Sequence, residues 1–178
     1  MPAIFNTDNQ SVKHSGPAAR PFRRAALLLF LSGCLMSGSG MAQAKSFIQQ
    51  YRPLADSLSV EYGVPASVIL GVAIVESGSG TSRNCKLLNN FFGIVGKNNL
   101  LKTKGIKSRY KQYPDAAASF ADFCKLQSRK KYYSKLKGNM DYKVWVEAIS
   151  KSGYSEAPAT WKQRVSDTIK KNKLSATR

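Results

Sequence analysis

Histidine is all but missing from this chain: His14 is the only one in 178 residues. No histidine metal site, Ser-His-Asp triad or Cys-His dyad can therefore be built in the body of the protein. Acids are scarce as well. Ten Asp and Glu stand against 28 Lys and Arg, a net charge of +18, and residues 77 to 114 hold no acid at all. Such an excess points outward, to nucleic acid, anionic lipid head groups or cell wall. A long hydrophobic run is also wanting, since the stretch Ala25 to Leu31 falls far short of the roughly 20 apolar residues that span a bilayer. Chemistry is left to carboxylates, tyrosines, lysines and hydroxyls, without metal or cofactor.

What the short apolar run does fit is an export signal. Arg20, Arg23 and Arg24 precede it and small residues follow, the order of a secretory leader. Two processing sites compete. Ala42-Gln43-Ala44 is a small-x-small site ahead of Lys45, and Leu31-Ser32-Gly33-Cys34 resembles a lipobox that would acylate Cys34. Cleavage after Ala44 is the preferred reading, giving a leader over 1–44 and one domain over 45–178. The leader holds four of the 28 basic and one of the 10 acidic residues, so the remainder still carries +15. It also keeps two cysteines, Cys85 and Cys124, which in an oxidising compartment form either a disulfide or two separate buried thiols; the bridge is expected.

Within that domain the apolar spacing is mostly helical. Phe47, Tyr51, Leu54 and Leu58 recur at four, three and four residues, and Gly63 closes the segment. Pro65 suits the first turn of a second helix, whose body Ala66 to Val75 is almost wholly apolar and so buried on most sides. Phe92 to Val95 and Ile106 to Tyr110 read as short strands or extended loops. Further helices follow Pro114-Asp115, Asp141 and Pro158. In the last, Trp161, Val165 and Ile169 form an i, i+4, i+8 stripe, read as core packing ahead of a binding platform.

The apolar second helix ends in a single charge, Glu76, before Ser77-Gly78-Ser79-Gly80. Desolvation and the negative helix end both favour its proton. A carboxylic acid kept protonated at a cleft edge is what a glycosidase uses on a leaving oxygen; the plain alternative is a carboxylate that caps the helix or pairs with a lysine.

Around Glu76 the sequence closely resembles a known family. Ala73-Ile74-Val75-Glu76-Ser77-Gly78-Ser79-Gly80-Thr81-Ser82, Asn89 to Ile94, Tyr110-Lys111-Gln112-Tyr113 and Gly153-Tyr154-Ser155-Glu156-Ala157-Pro158 resemble, in order, blocks of the bacterial glucosaminidases of glycoside hydrolase family 73. That family includes autolysins and the flagellar peptidoglycan hydrolase. The resemblance spans about residues 46 to 172. It implies a mainly α (α+β), lysozyme-like domain with a small β lobe, and an exported monomeric enzyme cutting the β-1,4 bond after N-acetylglucosamine in peptidoglycan. Glu76 matches the family's catalytic acid. Tyr154 falls on the tyrosine near the acetamido group of the reacting sugar, the alternative being a buried core tyrosine. Asn89, Asn90 and Phe92 fall on the segment that buttresses the cleft, and with Tyr113 they are the substrate-binding candidates.

One departure from the family pattern is the acid-free stretch. Many members place a second carboxylate in the β lobe as a water-activating base, and residues 77 to 114 offer none. Three readings follow: the substrate's own 2-acetamido group acts as nucleophile, with Tyr154 orienting it; Asp115 or Asp122 substitutes; or hydrolysis is impaired. The first is preferred, with Asp115 as a helix cap and Asp122 as a solvated helix residue. A lytic transglycosylase and a catalytically weak wall-binding domain are the rival functions. The cluster Arg129 to Lys135 mixes cations with Tyr132 and Tyr133; anionic wall polymers are its expected partner in an exported protein, not nucleic acid, unless its tyrosines simply face the core.

Overall fold

The computed structural model describes residues 37–175. His14, Cys34 and the basic and apolar parts of the leader lie outside them. Eight helices follow in order: α1 (Ser37–Tyr62), α2 (Ala66–Ser77), α3 (Arg83–Leu88), α4 (Leu100–Lys104), α5 (Ala116–Ser128), α6 (Tyr133–Leu136), α7 (Tyr142–Lys151) and α8 (Pro158–Lys171). Helix α2 is the centre, packed by α1, α5, α7 and α8. Its residues Ser67 to Ile74 are all buried, which is why its sequence lacks a polar face. Its neighbours are amphipathic because they have one wet side: α8 buries Trp161, Val165 and Ile169, and α7 buries Trp145, Val146 and Ile149.

The expected helix ends hold. Asp115 accepts from the Ala118 amide at 2.7 Å and Asp141 from the Lys143 amide at 2.9 Å, each satisfying an otherwise unpaired donor of a first turn. Helix α1 starts at Ser37, so the expected boundary between Ala44 and Lys45 falls inside it, and Ala44 is buried. Among the described residues no helix is long and apolar enough to cross a membrane.

Two expectations fail. The β lobe shrinks to one isolated antiparallel bridge, Val95 to Tyr110, with no strand among the described residues. The intervening residues curl into the short helix α4 instead, closed by Gly105 in the left-handed region. The Cys85 to Cys124 disulfide is also absent, because both thiols are free and buried. Cys85 is on α3, towards Tyr51, and Cys124 on α5, towards Glu61 and Tyr62, about 15 Å further along α1 at 1.5 Å per residue. Burial pushes the Cys85 thiol up to about 11, with Lys86 opposing. The Cys124 thiol is pushed up to about 12 by burial and then by Glu61. Both stay protonated and unreactive at neutral pH. Thiol titration of the unfolded domain is accordingly expected to find both sulfurs reduced, and reductant should leave the melting temperature unmoved; a drop in Tm on reduction would restore the bridge.

Candidate active site

Helix α2 delivers Glu76 to its own C-terminal end, where Gly78 adopts the left-handed conformation (φ 56°, ψ 48°) and stops the helix. Ser77 fixes the turn that follows. Its hydroxyl donates to the Ala73 carbonyl oxygen at 2.6 Å and accepts from the Gly80 amide at 2.8 Å, so the chain leaves α2 in one defined direction. Glu76 is left half-buried beneath Gly93. A methyl group on Gly93 would stand 3.5 Å from Glu76 Oε2, and the φ of +65° there suits glycine alone.

The other carboxylate oxygen has a partner from the far end of the chain. The Trp161 indole N–H, on α8, donates to Glu76 Oε1 at 2.7 Å. Burial raises the Glu76 carboxyl above its ordinary value, while the Trp161 hydrogen bond and the charge of Arg164, one turn further along α8, oppose the rise. Burial prevails, so the carboxyl holds its proton to higher pH than a free glutamate. Trp161 was legible only as a core residue. It is that, being 5% exposed, and it also aims the carboxyl, which no local spacing signals.

Tyr154 flanks the same corner. Its ring packs against Trp161 at 5.3 Å between centroids and edge-on against Phe123 at 6.0 Å. Its hydroxyl donates to the Phe92 carbonyl oxygen at 2.8 Å. Burial, then the neighbouring Glu76, raise the phenol well above its ordinary value, so it stays protonated. Phe92 itself is stacked on Phe123 at 4.3 Å and is 2% exposed. It supports Tyr154 from behind and offers a sugar nothing but its backbone.

Asn89 and Asn90 are scaffold for the same reason. Asn90, 1% exposed, spends its whole amide on backbone: Nδ2 donates to the Ile94 and Lys111 carbonyl oxygens at 2.9 and 2.8 Å, and Oδ1 accepts from the Phe92 and Ile94 amides. Asn89 caps α3 in the left-handed region and donates to the carbonyl oxygens of Tyr113 and Pro114. Tyr113 is buried, and its hydroxyl donates to Asp122 Oδ2 at 2.7 Å. Asn90 has no polar atom free for a sugar hydroxyl, and the side-chain donors of Asn89 and Tyr113 are spent within the protein.

Asp122 is not the solvated residue expected. Lys111 Nζ lies 2.7 Å from the same Oδ2. Burial works to raise its carboxyl, but the hydrogen bonds from Lys111 and Tyr113, then the charges of Lys111 and Arg129, overcome it and lower the pKa. This carboxylate is tied up in fastening the 111–113 segment to α5. The aromatic pair of the basic cluster also turns inward: Tyr132 and Tyr133 sit edge-on to Trp145, both at 6.2 Å, with their hydroxyls bonded to Gln127 and the Tyr62 carbonyl oxygen. They are core tyrosines, not sugar platforms.

If the indole hydrogen bond orients the acid, Trp161→Phe should lower kcat about tenfold and move the alkaline limb of the kcat/KM profile up by about one pH unit, since a bond favouring the anion is lost. A lower melting temperature with an unshifted profile would reduce Trp161 to packing alone.

The pattern of one known family, Glucosaminidase, described as mannosyl-glycoprotein endo-beta-N-acetylglucosaminidase, matches residues 52–174. No curated protein matches the chain. Among solved structures, the catalytic domain of the autolysin Auto from Listeria monocytogenes is 23% identical with a TM-score of 0.63, covering 78% of this chain and 93% of that one. A peptidoglycan hydrolase from Sphingomonas sp. A1 is 23% identical with a TM-score of 0.58, covering 75% and 96%. A C-terminally truncated glycoside hydrolase domain of FlgJ from Salmonella typhimurium is 19% identical with a TM-score of 0.59, covering 73% and 97%. At these identities the likeness is one of fold, a mainly α, lysozyme-like domain.

Proposed function

Because the chain belongs to the glucosaminidase family of glycoside hydrolases, we propose that it is an exported, monomeric endo-β-N-acetylglucosaminidase that cuts peptidoglycan strands after N-acetylglucosamine, with Glu76 as general acid. The observation that carries this is the half-buried Glu76 carboxyl held at 2.7 Å by the Trp161 indole. Such a group holds its proton to higher pH than a free glutamate and is aimed in one direction, as protonation of a leaving glycosidic oxygen requires.

The nucleophile comes from the substrate. The Tyr154 hydroxyl gives its hydrogen to Phe92 and accepts the acetamido N–H of the sugar, turning the acetamido oxygen towards the anomeric carbon. That oxygen bonds to the carbon as the glycosidic bond breaks, and the leaving oxygen takes the Glu76 proton. Water then opens the cyclic intermediate, yielding its proton to the Glu76 carboxylate. One protein carboxylate suffices, which accommodates the absence of any acid between residues 77 and 114. The same absence suits a transglycosylase, in which the muramic acid 6-hydroxyl replaces water.

Export rests on the leader pattern over 1–44, with lipid attachment at Cys34 as its variant form; the mass of the processed N-terminus separates the two. The activity is tested by digesting purified peptidoglycan with residues 45–178 and analysing the fragments. Reducing N-acetylglucosamine ends are expected. Anhydromuramic ends would make the enzyme a transglycosylase, and pelleting with the wall without release would make it a binding domain.

A further inference from the structure

The lobe that leaves the Glu76 corner at Gly93 has a chemistry the acid step does not use. Its two arms leave the catalytic corner together, paired through Lys111 N–H to the Ile94 carbonyl oxygen, Gly96 N–H to Arg109 and Gln112 N–H to Lys97, at 2.8 to 3.0 Å. Asn98 clamps the fold-back: Nδ2 donates to the Ser108 and Tyr110 carbonyl oxygens at 2.9 and 2.8 Å, and Oδ1 accepts from the Leu100 amide. On this fixed frame stand Lys97, Lys102, Lys104, Lys107 and Arg109, all exposed. Among the described residues none of the five forms an ion pair; the lobe's one paired cation is Lys111.

Elsewhere among the described residues three cations have a carboxylate partner. Arg52 meets Asp56, and Lys151 and Lys162 both meet Glu147. Residues 77 to 114 hold no acid, so the lobe projects an uncompensated positive field from Gly93, where a Cβ would stand 3.5 Å from Glu76 Oε2. A ligand held there is anionic, extended, and joined to the sugar chain in the cleft. Peptide stems of peptidoglycan meet all three conditions, since they carry free carboxylates and branch from the sugar next to the bond to be cut. The reach agrees as well: the four-residue rise from Gly96 to α4 spans at most about 14 Å, as does a four-residue stem.

Building on the glucosaminidase reading, we propose that the 96–109 lobe is a docking arm for the carboxylates of peptide stems, which makes the enzyme selective for peptide-bearing over stem-free glycan.

The test uses sacculi freed of covalently attached anionic polymers, either intact or stripped of stems by an amidase. On the 45–178 enzyme, intact sacculi are expected to show about a tenfold higher kcat/KM at low salt, falling towards parity at 0.5 M NaCl as exposed charges are screened. The triple variant Lys102→Glu, Lys104→Glu, Lys107→Glu should bring the ratio to about one. A charge-matched control, Lys125→Glu, Lys143→Glu, Lys170→Glu, should keep the ratio, which separates the lobe from net charge. Pelleting of Glu76→Gln proteins with both sacculi, with and without the lobe changes, reads the same preference without catalysis. If the 45–178 enzyme cuts nothing yet pelleting keeps the lobe-dependent preference, the hydrolase reading falls and the docking arm stands. Equal binding of stem-bearing and stripped sacculi, or equal loss in the control triple, overturns the docking arm whatever the hydrolysis shows.

Discussion

Glu76→Gln is expected to cut the release of reducing ends by about a thousandfold, within the range that a positioned general acid contributes, and yet to make the protein more stable at neutral pH. The side chain keeps its shape and still accepts from the Trp161 indole. What it loses is a charge that the site does not favour. Burial holds the folded carboxyl above its ordinary value of 4.5, so between that value and its folded pKa the native state binds more protons than the unfolded chain. Stability therefore falls as pH rises through this window. Gln has no such loss, and the variant should melt above the parent at pH 7 and beside it at pH 4. Paired thermal melts at the two pH values check this; a variant less stable than the parent at pH 7 would mean that the carboxylate is well solvated. The single acid also predicts a one-sided kcat/KM profile, flat on the acid side and falling above the Glu76 pKa.

The second large effect concerns a glycine far from any sugar. Gly71 lies mid-helix in α2, where alanine would ordinarily gain about 1 kcal/mol. Here a Cβ would stand 2.6 Å from Ile169 Cγ1 and 3.0 Å from its Cδ1. Cγ1 belongs to a stiff β-branched side chain buried on α8, so α8 itself must move. The overpacking, about 1–3 kcal/mol, should outweigh the helical gain, and Gly71→Ala is expected to lower Tm by roughly 5 °C. Because α8 carries Trp161, kcat should fall too. Pairing the change with Ile169→Ala should recover part of the activity. An increase in Tm for Gly71→Ala would show that the two helices have room to spare.

The helices were legible where one property decided them: the unbroken apolar run of α2, the stripe of α8 and the caps Asp115 and Asp141. Glu76 was legible as the candidate acid for the same reason, as the lone charge ending an apolar helix. The 93–112 segment was not, because its shape depends on Asn90 and Asn98, whose amides bind backbone on both arms. In sequence they are merely two of several asparagines. Matching to family blocks singled out Asn89, Asn90 and Tyr113 as substrate-binding candidates, while their side-chain hydrogen bonds run to backbone and to Asp122. The cysteines mislead for a simple reason: an even count says nothing of distance, and these two belong to different stretches of α1's flank.

Where the partner of Glu76 comes from has a consequence for the order of events in the life of the chain. The indole that bonds Glu76 is 85 residues downstream, on α8, and Tyr154 arrives with the turn just before it. A chain still being synthesised holds Glu76 before either neighbour exists. The hydrogen-bonded corner around Glu76 therefore forms only once α8 has been made and has docked on α2.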